Sequence, residues 1–206
     1  MREAVRKRLR FRPSETVIGI VANWRPVKNI PLLFKAAQRL TRDFGNIRIL
    51  VVGHPPDRRT RDALTCQHGL QGRVVFTGEQ DDIIPFLSAM DIGVLCSDAE
   101  SLSNSITEYM AAGLPCVVSD AGGNAEAIGY GSAGLVFKRN DSADFYRKLK
   151  KMIDNPDLRQ KCSDNARVIA GRRYDIDACV QRYEALYKRL YQERYRAREQ
   201  PGRRVR

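Results

Sequence analysis

Short apolar segments alternate along this chain with longer segments whose apolar residues recur at helical spacing. The first apolar segment, residues 16–23, is rich in β-branched residues and predicts a buried strand. From Asn29, apolar residues three and four positions apart predict a helix. Further strands are predicted at 47–53, 74–78, 91–96, 115–119 and 134–137. This alternation predicts an α/β fold, a doubly wound parallel sheet of about six strands with helices on both faces.

Composition narrows the class of protein. No apolar segment approaches the roughly 18 residues of a membrane span, and no hydrophobic stretch follows the basic N-terminus as in a signal peptide. The five cysteines form no C-x-x-C pair and favour buried thiols in a reducing compartment over disulfides. Only two histidines are present, which disfavours a zinc site. We therefore expect a cytoplasmic protein without a bound metal.

The net charge of +12 is concentrated at the two ends of the chain. Residues 1–12 carry a net charge of +5, residues 188–206 carry +6, and the long segment between them carries +1. A folded nucleic-acid platform needs basic residues on its body, so nucleic acid is not expected as a partner. The basic ends fit either an anionic membrane surface, a neighbouring domain, or simply solvated flanks.

In a doubly wound sheet, ligands bind in the loops that follow the carboxyl ends of the strands. No G-x-G-x-x-G or G-x-x-x-x-G-K-[ST] motif is present, so those two phosphate-binding motifs do not apply. The first loop, residues 23–29, instead places Arg25 and Lys28 at a helix start. Cations are unfavourable at that end of a helix unless an anion is bound, and a diphosphate is one candidate. The alternative is that both side chains extend into solvent.

Two further loops carry candidate ligand-binding residues. Seven residues separate Glu100 from Glu108, so the two carboxylates can face one cleft and accept hydrogen bonds from sugar hydroxyls. Ser105 and Glu108 also fit a capping box, a purely structural role, and spacing alone does not choose between the two. The glycine pair at 122–123 permits close approach of backbone to a ligand but equally suits a tight turn.

Taken together, these loops resemble the C-terminal, nucleotide-sugar-binding domain of retaining GT-B glycosyltransferases of the family 4 class. Residues 100–124 are similar to that family's E-x7-E block and the glycine pair after it. Residues 21–29 resemble its loop for the donor phosphates, and residues 75–78 look like the strand before its base-binding loop. The similarity covers residues 15–190 with the motifs in the family's order.

The resemblance implies roles for the charged residues. Lys28 and Arg25 contact the diphosphate of the donor. Glu100 holds a hydroxyl of the transferred sugar, either as a nucleophile or as a positioning group. Glu108 holds the ribose hydroxyls. No metal or separate cofactor is expected, and the donor is a UDP-, GDP- or ADP-sugar.

The remaining predicted contacts come from loop backbone. Sugar and phosphate meet the N–H groups of Leu102, Ser103 and Asn104, and the base lies near Gly53 and Gln80. The chain departs from the family twice. Its arginine stands three residues before the lysine, and Asn23 occupies the position five before it, where the family often has arginine. The loop after the second strand continues from its glycine with His-Pro-Pro in place of the usual G-x-G.

A complete GT-B enzyme also has an N-terminal domain that supplies most acceptor contacts. The resemblance therefore implies three segments: an interdomain linker remnant at 1–15, a nucleotide-sugar-binding domain at 16–197 and a basic, disordered tail at 198–206. The expected function is transfer of a hexose from a nucleoside-diphosphate sugar to a glycan or lipid-linked acceptor, with the fragment inactive alone. Its partners are the N-terminal domain and, through the basic ends, the inner membrane face. Two alternatives are a non-catalytic nucleotide- or polyanion-binding module and a nucleotide-sugar epimerase.

Overall fold

A computed structural model describes residues 1–199 of the chain. These residues belong to two compact units, Met1–Ala170 and Gly171–Arg206, and the second is described as far as residue 199. The basic tail predicted at 198–206 lies outside the described residues from 200 onward. No helix within the described residues is both long enough and apolar enough to span a bilayer.

The first unit is built on one parallel sheet of six strands, as the alternating pattern predicts. The strands are β1 (Thr16–Val21), β2 (Ile47–Val52), β3 (Val74–Phe76), β4 (Ile92–Leu95), β5 (Cys116–Ser119) and β6 (Gly134–Phe137). Their order across the sheet is β3-β2-β1-β4-β5-β6, and every strand pairing is parallel. The chain order therefore reverses between β1 and β4, the place where ligands bind in doubly wound folds.

Residues 1–199 form nine α-helices, of which the last belongs to the second unit. They are α1 (Arg2–Arg8), α2 (Ile30–Asp43), α3 (Arg58–Gln67), α4 (Ile84–Ala89), α5 (Asn104–Ala111), α6 (Asn124–Ala127), α7 (Ser142–Asp154), α8 (Pro156–Arg173) and α9 (Ile176–Glu199). Helix α8 begins with a proline, and Asn155 before it caps the first turn, because Asn155 Oδ1 accepts a hydrogen bond from the N–H of Leu158 at 2.8 Å. The sequence pattern indicated neither α1 nor the single turn of α6.

Residues 1–15 are attached to the amino end of the sheet through a buried arginine. Arg6 donates to Asp91 Oδ2 at 2.6 Å and to the carbonyl oxygens of Ala89 and Glu15 at 3.0 and 3.1 Å. Asp91 Oδ2 also accepts the N–H of Val17, the second residue of β1, at 2.7 Å. A buried guanidinium is tolerated because carbonyl and carboxylate oxygens surround it. Whether this segment is a linker in a longer protein stays a prediction.

The carboxyl ends of β1 and β4 separate and open a cleft between them. The two strands pair only through Ile18–Gly19 and Ile92–Gly93. Beyond that point the hydroxyl of Tyr109 on α5 stands between them: it accepts from the N–H of Val21 at 2.6 Å and donates to the carbonyl of Val94 at 3.2 Å. The buried phenol thus satisfies backbone groups that the diverging strands no longer satisfy for each other.

Candidate functional site

A cavity of about 340 Å³ opens at the carboxyl ends of β1 and β2, beside the start of α5. Its size lies at the lower end of the range for small-molecule sites. Six of the nine predicted site residues line it: Arg25, Lys28, Gly53, Gln80, Asn104 and Glu108. The other lining residues, none of them predicted from the sequence as a ligand contact, are Val21, Ala22, Asn23, Val52, Glu79, Ile83 and Ser105. The structure therefore brings residues from four separate loops to one cleft.

The loop after β1 presents Lys28 on a short 3₁₀ turn, Pro26–Lys28. Asn29 ends this turn in the left-handed region, with φ of 45°, a conformation that asparagine adopts more readily than most residues. Asn29, from which the sequence predicts a helix, occupies the N-cap position of α2, but its side chain makes no capping bond. Its amide instead donates to Asp98 at 2.9 Å and to Asn140 at 2.7 Å, which fixes the turn to two other loops.

A buried thiol supports the same turn from the sheet side. Cys96 follows β4, is fully buried, and its Sγ lies 3.2 Å from the carbonyl oxygens of both Lys28 and Asn29. Burial raises the pKa of Cys96 to about 12. The group is consequently a protonated thiol, able to donate to these carbonyls, and its role is structural rather than nucleophilic.

Glu100 is the counter-ion of Lys28. Its Oε1 accepts an ion-paired hydrogen bond from Lys28 Nζ and a second hydrogen bond from Ser97 Oγ at 2.8 Å. The side chain of Glu100 is 11% exposed and that of Lys28 is 23% exposed, so water screens this pair only partly. Both contacts fall on one carboxylate oxygen. Among the described residues no group donates to the other, Oε2.

Glu108 projects into the cavity from α5, and the capping-box interpretation of Ser105 and Glu108 is wrong. Helix α5 has Ser103 at its N-cap position, and Ser105 Oγ donates to the carbonyl of Val21 at 2.6 Å. Desolvation raises the pKa of the half-buried Glu108 carboxyl. Within residues 1–199 no group donates a hydrogen bond to this carboxylate, which leaves its acceptor capacity for a ligand.

The loop that enters α5 places its three predicted residues differently. Asn104 lines the cavity, whereas the side chain of Leu102 is exposed and Ser103 is buried outside the lining. The backbone N–H groups of these three residues make no hydrogen bond in the described part of the chain. They remain available donors at the start of a helix, where an anion is favoured.

The far side of the cavity is formed by the loops after β2 and β3. Gly53 has φ of 129°, and a Cβ there would lie 2.5 Å from the carbonyl oxygen of Ala22, so this position requires glycine for backbone packing. Its N–H donates to the carbonyl of Gly78 at 3.0 Å. Gln80 Nε2 donates to the carbonyl of Thr77 at 2.9 Å, and its neighbour Glu79 also lines the cavity.

Asn23 and Arg25 in the loop after β1 have different roles. Asn23 Oδ1 accepts from the N–H of His54 at 2.8 Å and so ties this loop to the one after β2. Arg25 is exposed and lines the cavity beside Lys28. An asparagine at position 23 therefore has a structural function, and the second cation of the site comes from Arg25.

The glycine pair holds the Glu100 loop through its backbone. A Cβ at Gly122 would lie 1.6 Å from the carbonyl oxygen of Glu100, and one at Gly123 would lie 2.3 Å from that of Ser101. Gly123 also donates its N–H to the Ser101 carbonyl at 3.1 Å. Of the two interpretations left open by the sequence, the structure shows the turn, in which the N–H of Asn124 donates to the carbonyl of Ala121 at 3.2 Å, and the Glu100 loop packs closely against it.

The assembled cleft combines three kinds of group. Arg25 and Lys28 are cations, the free N–H groups before α5 are further anion-binding donors, and Glu79 and Glu108 are acceptors. Glu100 does not line the cavity itself and adjoins it through its ion pair with Lys28. Phosphate oxygens suit the donors, and hydroxyl groups suit the carboxylates. Among the described residues no group of three or more histidine, cysteine or acidic side chains is arranged to hold a metal ion.

Comparison with known proteins identifies the family of this chain. The model of the family described as Glycosyl transferases group 1 matches residues 1–168. The chain is 26% identical over 174 residues to N-acetyl-alpha-D-glucosaminyl L-malate synthase of Bacillus anthracis, covering 84% of this chain and 45% of that protein. The chain thus spans about half the length of the curated relatives it matches.

Solved structures show the same fold. HepE from Anabaena, crystallised with UDP and glucose, superposes with a TM-score of 0.82 at 22% identity, over 90% of this chain and 51% of that one. The C-terminal domain of the group 1 glycosyl transferase LpcC from Francisella tularensis superposes with a TM-score of 0.74 at 25% identity, over 85% of this chain and 94% of that one. The sheet is the Rossmann-like half of a GT-B fold. With its family model matched over most of its length, the chain belongs to the glycosyl transferases group 1 family.

Proposed function

We propose that this chain is the donor-binding half of a retaining glycosyltransferase that moves a hexose from a nucleoside-diphosphate sugar to a glycan or lipid-linked acceptor. The observation that carries the proposal is the cavity at the carboxyl ends of the strands, which unites Arg25 and Lys28 with the free carboxylate of Glu108. A nucleoside diphosphate matches this combination, because its phosphates need cations and its ribose hydroxyls need an acceptor.

The chemistry follows from which charges develop. The bond between the anomeric carbon and the diphosphate breaks, and its electron pair leaves with the diphosphate. The sugar acquires positive charge, the oxygen of the acceptor hydroxyl bonds to the anomeric carbon on the same face, and the hydroxyl proton passes to the departing diphosphate. Arg25, Lys28 and the N–H groups before α5 stabilise the departing negative charge. Glu100 lies next to Lys28, and in this proposal its carboxylate faces the sugar. In this proposal the two cations replace a divalent metal.

The rest of the reaction requires groups outside this chain. The chain spans 45% of the relative from Bacillus anthracis, and we propose that an N-terminal domain supplies the acceptor contacts. The chain alone then binds donor but turns over little. The basic ends, with net charges of +5 and +6, are proposed to attract the enzyme to an anionic membrane surface.

Calorimetric titration of the chain with UDP, GDP and ADP tests the proposal. We expect one diphosphate to bind selectively with a dissociation constant of about 0.1–1 mM, or about 4–5.5 kcal/mol. Lys28→Ala should weaken this binding more than Glu108→Ala, because it removes a charge from the phosphates. Lys151→Ala, on the exposed surface of α7, is the matched control. No binding of any diphosphate, or equal affinity of all variants, would contradict the proposal.

A further inference from the structure

Ser97 is a buried residue whose hydroxyl group contacts Glu100 at the candidate site. It is the second residue after β4, its exposure is 0%, and its Oγ lies 2.8 Å from Glu100 Oε1. Because an ionised carboxylate only accepts hydrogen bonds, the hydroxyl proton of Ser97 points at Glu100. No motif in the sequence distinguishes this serine from the other residues of its loop.

A chain of buried polar groups fixes Ser97 in place. Ser119 Oγ donates to the carbonyl oxygen of Ser97 at 2.7 Å and accepts from Asn124 Nδ2 at 3.3 Å. All three residues are fully buried. Each hydroxyl proton therefore has a single defined acceptor, and the backbone that carries Ser97 is held from the neighbouring strand β5. A buried network of this kind has little freedom to reorient.

The arrangement matters because both internal partners of Glu100 share one oxygen. Lys28 and Ser97 contact Oε1, and no described residue donates to Oε2. If Lys28 turns to the diphosphate of a bound donor, Ser97 is the contact that continues to orient the carboxylate.

We propose that Ser97 is the positioning residue of Glu100: it holds Oε1 so that Oε2 faces the transferred sugar. This inference rests on the proposed function, because it assumes that a donor sugar binds beside Glu100. It assigns to Ser97 an effect on the sugar and none on the nucleotide. Loss of the hydroxyl should therefore lower the affinity for the nucleoside-diphosphate sugar and leave that for the diphosphate unchanged.

The test uses the ratio of the two affinities, that of the nucleoside-diphosphate sugar to that of the diphosphate. The chain is titrated calorimetrically with UDP, GDP and ADP and with the glucose, mannose and N-acetylglucosamine derivatives of the one that binds. We expect Ser97→Ala to lower the ratio by about 3- to 10-fold, the effect of one hydrogen bond. Ser101→Ala, an exposed serine of the same loop, should leave it unchanged.

A double-mutant cycle separates positioning from general damage to the loop. Glu100→Ala should also lower the ratio, and Ser97→Ala should add nothing further in that background. Ser97→Cys, which keeps the size of the side chain but donates weakly, provides an intermediate loss and a second variant should Ser97→Ala fold poorly. Trp24, which packs against the core, reports folding by its fluorescence.

Three outcomes would overturn the inference while leaving nucleotide binding intact: an unchanged ratio in Ser97→Ala, an equal loss in the Glu100→Ala background, or a ratio that Glu100→Ala itself does not change. Failure of the wild-type chain to bind any diphosphate would overturn the proposed function and this inference together.

Discussion

Replacing Gly122 by alanine should damage both the fold and the site, and the structure sets the size of the effect. Gly122 has φ of 51°, in the left-handed region, where a residue with a Cβ costs about 1–2 kcal/mol. The new Cβ would lie 1.6 Å from the carbonyl oxygen of Glu100, whereas Cβ contacts below 3.0 Å are essentially never found. The Glu100 loop must therefore move by about 1.4 Å. Such overpacking costs a further 1–3 kcal/mol or so.

A second glycine separates the two contributions. Gly69 has φ of 62°, close to that of Gly122, but a Cβ at Gly69 would meet no atom within 4 Å. Gly69→Ala therefore measures the cost of the backbone conformation alone, about 1–2 kcal/mol. Gly122→Ala should lower the free energy of unfolding by about 2–5 kcal/mol. The difference in free energy of unfolding between the two variants measures the steric cost of the contact with Glu100.

Urea unfolding followed by fluorescence measures these free energies. Trp24 is the single tryptophan of the chain and packs against the core of the first unit, so its signal reports that unit. Displacement of Glu100 should also lower the affinity ratio between the sugar donor and its diphosphate, as is expected for Glu100→Ala. Equal destabilisation by Gly122→Ala and Gly69→Ala would refute the steric reasoning, even if both variants were less stable than the wild type.

Two further predictions follow from buried titratable groups. Burial raises the pKa of the Glu108 carboxyl. The ionised form of Glu108 therefore destabilises the folded protein at pH values above the ordinary pKa range of glutamate, and this destabilisation is absent below that range. Glu108→Gln should thus raise the urea midpoint at about pH 7 but not at about pH 4, whereas exposed Glu3→Gln should change neither; a gain only at low pH would contradict this sign. Burial also raises the pKa of Cys96 to about 12, and iodoacetamide should label exposed Cys66 while leaving Cys96 intact until urea is added. Mass spectrometry of the digested protein checks the labelling, and comparable modification of both thiols in the folded protein would be inconsistent with the structure.

The sheet could be predicted from the sequence because burial on both faces gives each strand a continuous apolar signature. Parallel strands also share one carboxyl edge, so Lys28 and Glu108 could be expected near each other although 79 residues lie between them. The six predicted strands are confirmed, with ends that differ by at most two residues. Local pattern and topology were sufficient at this level.

The details that failed depend on contacts between distant residues. Ser103 and Ser105 are equally good helix starts by residue type, and the choice is made by Val21, whose carbonyl accepts the Ser105 hydroxyl. The sequence left the glycine pair open between a ligand-binding motif and a turn, because it does not show that the backbone of Glu100 packs against these glycines. Helix α1 was missed because its one buried polar anchor, Arg6, cannot be told from the basic residues around it.

The pairing of Lys28 with Glu100 makes anion binding at this cleft an exchange. The ammonium already has a carboxylate partner, so a simple anion such as chloride must displace that partner and leave Glu100 poorly neutralised. A ligand that carries both a diphosphate and a hydroxyl group provides a new partner for Lys28 and a new partner for Glu100 at the same time. Under the proposed function, this pair therefore favours, at Lys28, ligands in which negative charge and sugar are covalently joined over small inorganic anions that an unpaired lysine would attract.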